Sequence, residues 1–150
     1  MNVTVDLQNH SGSREVPLRR QFKHWALAAL AAVAPERAVN RLSIRLVDEN
    51  ESAQLNGQYR HKSGPTNVLS FPLPPQLQES PELGDLAICA QVVEREAREQ
   101  GKRGDAHWAH LTVHGVLHLR GYDHEVEAEA RVMEALETRI LQQLGYPDPY

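Results

Sequence analysis

At 150 residues the chain is long enough for one domain with its own hydrophobic core, and its longest apolar run, the ten residues 25–34, is too short to cross a bilayer. Residues 1–6 lack the basic and apolar segments of a signal peptide, and the only cysteine, Cys89, excludes an intramolecular disulfide, so we expect a cytoplasmic protein that does not enter the membrane. The formal net charge of −4, whose acidic excess lies within residues 125–150, excludes strong non-specific attraction to nucleic acid and predicts weak, salt-sensitive contact with RNA.

The N-terminal segment predicts a strand followed by a helix. Val3, Val5 and Leu7 alternate with polar residues, which is the period of a half-buried strand. Pro17 is suited to the first turn of a helix that runs to about Ala34. The residues predicted to form the buried stripe of this helix are Leu18, Phe22, Trp25, Ala29 and Val33.

The remaining periodic segments complete a mixed pattern. They predict, in chain order, a strand at 42–48, a short helix at 51–60, a strand at 67–71, a proline-rich loop at 72–81, a strand at 83–90, a helix at 91–100, a histidine-rich helix that Asp105 can N-cap, and a last helix at 126–144. The strands and helices do not alternate strictly. The sequence therefore predicts an α+β fold, with helices packed on a small sheet, in a single domain over residues 1–150.

Three histidines near the C-terminal end have the spacing of metal ligands. His114 and His118 are four residues apart, so on a helix they project from the same face. Gly121 can end that helix in a left-handed conformation, which turns the chain back and lets His124 approach the same point. Three imidazoles around a divalent ion leave a fourth position open, as in catalytic zinc sites. The alternative, chance clustering among eight histidines, is disfavoured by the fixed spacing and the glycine.

The spacing is that of the zinc-peptidase signature H-E-x-x-H-x-x-G-x-x-H, with one substitution. Gly115 stands where those peptidases carry the glutamate that serves as general base. The pattern therefore indicates a metal hydrolase and argues against that class of peptidase.

His110 and His107 lie on the same helical stripe. We expect packing or surface roles for both, with contact to the ligands or the substrate as the alternative for His110.

A second candidate segment lies half a chain away, at residues 59–72. It is a cation-rich loop with Gly64-Pro65 that leads into a buried strand, and such loops often carry function. Arg60 could hold the non-bridging oxygens of a phosphate and stabilise the charge that develops there. The alternative is an ordinary solvated loop.

Asp85, next to Gly84, could place a carboxylate behind a ligating imidazole, although a strand-edge turn explains it equally well.

These segments resemble one known family. The block HGVLHLRGYDH at residues 114–124 is similar to the signature of the YbeY family of bacterial metal-dependent endoribonucleases. Tyr59-Arg60, the segment PTNVLSFP at 65–72 and the segment GDLAI at 84–88 resemble the family's other blocks in the same order. The resemblance covers roughly residues 40–145.

The resemblance implies a fold, a site and an activity. The fold is a mixed four-stranded sheet surrounded by about five helices, and the implied ligands of one Zn²⁺ ion per chain are His114, His118 and His124. The family's functionally important arginine corresponds to Arg60. The implied activity is cleavage of single-stranded RNA in maturation of the 16S rRNA 3′ end and in ribosome quality control, with ribosomal components or assembly factors as partners.

The chemistry expected at this site is metal-assisted phosphodiester cleavage, either by an activated water or by the neighbouring ribose 2′-OH. Two other functions remain open at this stage. One is a zinc peptidase or amidase, which shares the ligand spacing but lacks the glutamate at position 115. The other is a non-catalytic ribosome-assembly factor whose metal is mainly structural.

Overall fold

The computed structural model describes all residues from Met1 to Tyr150. The strands are β1 (Asn2–Asn9), β2 (Val39–Val47), β3 (Val68–Pro72) and β4 (Glu82–Cys89), and the α-helices are α1 (Arg19–Val33), α2 (Glu49–Arg60), α3 (Ala90–Glu99), α4 (Gly104–Leu119) and α5 (Glu127–Gln143). The proline-rich loop contains one 3-10 turn, Pro75–Leu77. The predicted α+β fold, with a four-stranded mixed sheet and five α-helices, is confirmed.

The sheet has the strand order β1-β2-β4-β3. β1, β2 and β4 run parallel, and α1 provides the crossover that a parallel β1–β2 pair needs. β3 lies at the edge of the sheet, antiparallel to β4, with Val68 opposite Ile88 and Pro72 opposite Gly84. This edge position brings β3 alongside α4, so residues 68–72 and the histidine helix are neighbours in space.

The two faces of the sheet contribute to different clusters of buried side chains. Leu86 and Ile88 of β4 belong to the main core, which the sheet forms with α1, α4 and α5. Ala87 and Cys89 point to the opposite face and join a smaller cluster against which Leu55 of α2 packs. Only the main-core face of the sheet therefore meets α4.

Aromatic side chains join α1 to α4. Phe22 and Trp25 are buried with ring centroids 5.5 Å apart, and Phe22 lies 5.9 Å from Trp108 of α4. The predicted burial of Leu18 is wrong, because α1 begins at Arg19 and Leu18 is an extended N-cap residue that is 52% exposed. Its backbone N–H donates to the Gln21 side chain at 2.8 Å, which satisfies one of the free donors at the helix start.

Asp105 does not N-cap the histidine helix as predicted. α4 begins two residues earlier than this prediction requires, at Gly104, with Arg103 as its N-cap. Asp105 lies in the first turn, where its carboxylate accepts a hydrogen bond from the Ala106 N–H at 3.0 Å and pairs with Arg103 at 2.8 Å. A carboxylate is favourable at that end of a helix whether or not it caps.

None of the helices combines the length and the apolar character needed to cross a membrane.

α4 approaches β4 closely at Gly115. A Cβ atom at this position would lie 2.8 Å from Leu86 Cδ2 and 2.9 Å from Cδ1. Leu86 is only 1% exposed and belongs to the main core, so its side chain has little room to move away. The residue that breaks the peptidase signature is therefore a glycine at the contact between the helix and the sheet, and any larger side chain there would have to displace Leu86.

We expect Gly115→Ala to lower the free energy of unfolding by about 1–2 kcal/mol, because overpacking against Leu86 outweighs the gain in helix propensity. Gly57→Ala is the matched control, since Gly57 is also helical but is exposed, and its Cβ would meet only the Lys62 carbonyl at 3.8 Å. That control should gain about 0.5–1 kcal/mol. Urea unfolding at one fixed zinc concentration measures both, and equal stabilities of the two variants would contradict the packing argument.

Candidate active site

The end of α4 is a tight turn centred on Gly121. The Gly121 N–H donates to the His118 carbonyl at 3.0 Å, and the Tyr122 N–H donates to the Leu117 carbonyl at 3.1 Å. Gly121 has φ 94°, in the left-handed region. This pair of bonds is a Schellman motif, which satisfies carbonyls at the helix end and reverses the chain. The predicted turn at Gly121 is confirmed, and it brings His124 back beside the last turn of α4.

The turn brings the three predicted ligand histidines together. One donor nitrogen from each of His114, His118 and His124 lies within 4.8 Å of the other two. His118 Nε2 and His124 Nδ1 are 3.2 Å apart. Donor atoms around a tetrahedral zinc ion, at bond lengths of about 2.0–2.1 Å, are separated by about 3.3 Å. The donor set and its spacing therefore fit one divalent ion.

The electrostatics favour the ligand form of His118. Burial and the adjacent imidazoles of His114 and His124 lower the pKa of His118 to about 4. The ring is therefore neutral at neutral pH and keeps a lone pair. A histidine must be neutral to bind a metal ion, so this side chain does not have to lose a proton first.

A buried carboxylate stands behind the first of these histidines. Glu137 of α5 is 0% exposed, and its Oε1 lies 2.9 Å from His114 Nδ1 and 3.0 Å from His110 Nε2. Its Oε2 accepts a hydrogen bond from the Tyr150 hydroxyl at 2.8 Å. Burial alone would raise the pKa of Glu137, but the hydrogen bonds from His110 and His114 hold it at about 2. The side chain is therefore a carboxylate at neutral pH.

Sequence reasoning did not identify Glu137 or Tyr150. The available signal was an acid on the apolar stripe of the last helix, because Glu137 lies four residues after Met133 and three before Ile140, and both are buried. An acid at such a position needs buried partners, which is a reason to search for donors. Nothing in the local sequence indicates that the last residue of the chain reaches the same carboxylate.

His107, His110 and Asp85 do not join the three histidines. His107 is 3% exposed and contacts Glu96 at 2.9 Å, and burial lowers its pKa. His110 directs Nε2 to Glu137, behind His114. Asp85 lies on the face of the sheet opposite α4, in a groove with Asp6 and Arg45. The carboxylate behind the candidate ligand His114 is therefore Glu137, and the alternative that placed Asp85 there is wrong.

A cleft of about 780 Å³ opens in front of the histidines. His114, His118 and His124 line one side with the acids Asp123 and Glu125, and β3 and the 59–67 segment line the other. Arg60, the last residue of α2, is exposed and also lines the cleft. It takes part in none of the salt bridges of the protein, so its guanidinium is available to a ligand. The structure thus places Arg60 and the three histidines on one cleft.

The loop after Arg60 is fixed to α2 by buried side chains. The Ser52 hydroxyl donates to the Thr66 carbonyl at 2.8 Å and accepts from the Thr66 N–H at 2.9 Å. Asn56 Nδ2 donates to the Gly64 carbonyl at 2.9 Å. Ser52 is 2% exposed and Asn56 is 4% exposed. This wall of the cleft is therefore held in place by the helix that carries Arg60.

Comparisons with known proteins agree with this description. The model of the family described as Endoribonuclease YbeY matches residues 6–145. A curated protein from Nitrosococcus oceani, named Endoribonuclease YbeY, is 52% identical over 153 aligned positions, which cover 100% of this chain and 98% of that protein. The solution structure of TM1509 from Thermotoga maritima is similar in fold, with a TM-score of 0.58, 24% identity, and coverage of 93% of this chain and 91% of that one.

Ser52→Ala should lower the free energy of unfolding by about 1–3 kcal/mol, because it leaves the Thr66 N–H and C=O without their partner. Hydrogen exchange at the Thr66 amide should be faster in the same variant. Ser63→Ala is the control, since Ser63 is exposed in the same loop and should change neither quantity. Unchanged exchange at Thr66 in Ser52→Ala would show that Ser52 does not anchor this wall.

Proposed function

The chain belongs to the YbeY endoribonuclease family, and on that premise we propose that it is a zinc-dependent endoribonuclease acting on single-stranded RNA, with residues 1–150 as one catalytic domain. The observation that carries the proposal is the cleft on which three convergent histidines and Arg60 lie together. The histidines are suited to a metal ion, and a free arginine is suited to the phosphate of a nucleic acid.

In this proposal His114, His118 and His124 hold one zinc ion per chain. When bound, the ion supplies Lewis acidity, which acidifies water and polarises a phosphoryl oxygen. The three histidines line the cleft, and a tetrahedral ion that they held would keep a fourth position for water or substrate. This is the arrangement of a catalytic site rather than a closed structural one.

Arg60 binds the non-bridging oxygens of the scissile phosphate and neutralises the charge that develops on them. The arginine is suited to this role because its guanidinium has five donors and forms no salt bridge. No general base is assigned. Position 115, which carries the base in the zinc peptidases, is a glycine packed on Leu86, and this disfavours the peptidase or amidase alternative.

The biological role that we propose is maturation of the 16S rRNA 3′ end and ribosome quality control in the cytoplasm, in contact with ribosomal components or assembly factors. The family membership supports this role. The charge of the chain is consistent with it, because a protein of net charge −4 has little non-specific attraction to RNA and needs local contacts or a partner to be placed on its substrate.

The decisive comparison uses wild type, His114→Ala and Arg60→Ala on a single-stranded RNA oligonucleotide, with zinc content measured on each protein. We expect wild type to hold one zinc ion and cleave, and His114→Ala to lose both zinc and cleavage. Arg60→Ala should keep its zinc and cleave about 100- to 1000-fold more slowly, since it loses charge stabilisation in the transition state.

Arg131→Ala is the matched control for the loss of an arginine, because Arg131 lies on α5 and pairs with Glu127, outside the cleft. It should retain both zinc and activity. Cleavage by metal-stripped His114→Ala at the wild-type rate would place the activity elsewhere. Full ribosome-associated function in Arg60→Ala, combined with unfolding on loss of zinc, would favour the assembly-factor alternative.

A substrate with a 2′-deoxy nucleotide at the scissile position separates the two possible nucleophiles. Attack by water does not need the 2′-OH, so we expect that substrate to be cleaved at a rate similar to that of the all-RNA oligonucleotide. Attack by the 2′-OH would make it uncleavable. The measurement is the rate of product formation at the modified position, and cleavage at unmodified flanking positions serves as the internal control.

A further inference from the structure

We infer that Glu137 is a positioning residue of the metal site, which holds His114 as its Nδ1–H tautomer with Nε2 free to bind, and that Tyr150 holds Glu137 in place. The inference rests on the proposed function only in taking His114 as a ligand. It assigns a role in that site to two residues of the C-terminal region that do not lie on the cleft.

The tautomer of His114 follows from the chemistry of its partner. Glu137 Oε1 lies between His114 Nδ1 at 2.9 Å and His110 Nε2 at 3.0 Å, and Oε2 accepts from the Tyr150 hydroxyl, so the carboxyl group is the acceptor in each contact and His114 Nδ1 must carry the proton. The neutral ring then has its lone pair on Nε2. A carboxylate behind a ligating histidine fixes the orientation of the ring and raises the basicity of the nitrogen that binds the metal.

His110 has the opposite arrangement on the same helix. Its Nε2 lies 3.0 Å from the same Oε1 and must also donate, which leaves Nδ1 as an acceptor. That Nδ1 is buried and has no hydrogen-bond partner. Because its Nε2 is directed at Glu137, His110 helps to hold the carboxylate and is not itself a ligand, although its Nδ1 is left without a partner.

Tyr150 supplies a hydrogen bond to the second oxygen of the Glu137 carboxylate. After α5 the chain returns towards α4, where Lys102 Nζ donates to the Pro149 carbonyl at 3.0 Å. The Tyr150 N–H donates to Asp148 Oδ1 at 2.9 Å, and the phenol hydroxyl reaches Glu137 Oε2 at 2.8 Å. Each carboxylate oxygen thus has at least one donor, and rotation of the carboxylate away from His114 would break the bond to Tyr150.

The first test measures zinc affinity by competition with a chelator, starting from the zinc-loaded full chain. Glu137→Gln should bind zinc about 10- to 100-fold more weakly than wild type, as expected when a partner behind a ligating histidine is lost. Tyr150→Phe should weaken zinc binding by about tenfold or less, since it removes one hydrogen bond. Thr138→Ala is the control, because the Thr138 hydroxyl donates to Asp148 in the C-terminal segment and forms no hydrogen bond with the Glu137 carboxylate, and the variant should bind zinc within about twofold of wild type.

The second test needs no variant and does not depend on whether Glu137→Gln folds. Nitrogen NMR of the imidazoles in the zinc-loaded wild type should show the proton of His114 on Nδ1 and that of neutral His110 on Nε2. If Glu137 only stabilised the fold, there would be no reason to find both this pair of tautomers and an effect of Glu137→Gln on zinc affinity. His114 bound through Nδ1 would overturn the inference, as would wild-type zinc affinity in a folded Glu137→Gln protein.

The two proposals fail in different ways. If His114→Ala retains zinc at wild-type affinity, the ligand assignment in the proposed function is wrong, and the inference about Glu137 falls with it. If His114→Ala loses zinc while folded Glu137→Gln and Tyr150→Phe both bind zinc as wild type does, the ligands stand and only the positioning role is wrong.

Discussion

The whole site depends on the tight burial of α4 between the sheet and the helices α1 and α5. This helix is buried over most of its length, although it carries four histidines. Its contact with β4 is so close that a Cβ atom on Gly115 would lie less than 3 Å from both Leu86 methyl carbons, at 2.8 and 2.9 Å. A helix packed at this density has little freedom to rotate, so the positions of His114 and His118 are set by the core. The candidate metal site therefore takes its rigidity from the same contacts that stabilise the fold.

Burial of a histidine stripe requires polar partners, and two acids from other helices supply them. Glu96 of α3 meets His107, and Glu137 of α5 meets His110 and His114. An unpaired polar group in the core is costly, so each acid compensates for the imidazoles that it contacts. Each acid also reaches a residue that lines the cleft. Glu96 accepts a hydrogen bond from Asn67 Nδ2 at 3.0 Å, and Glu137 contacts His114.

The sequence predicted those features that depend on short-range pattern. The period of the strands, the Gly121 turn and the spacing of the three histidines all lie within single segments, and the structure agrees with each of them. The errors concern boundaries and distant contacts. Leu18 and Asp105 were misplaced because the helix starts shift by a residue or two, and the role of Glu137 depends on the packing of α5 against α4. Periodicity cannot reveal such a contact, because it reports which face is buried and not what that face meets.

The same histidine spacing can support different chemistries, because the spacing is a local feature of the sequence and the elements that pack around it are not. Three histidines at this spacing come together in any helix that ends in a left-handed glycine turn, because the geometry needs only the helix pitch and one residue of positive φ. What the site does is decided by the neighbouring elements. Here β4 packs closely against position 115 at Leu86, and α2 supplies Arg60 to the same cleft. In the proposed function, the three histidines would hold the metal ion, and Arg60 on the same cleft would favour a phosphate over a peptide.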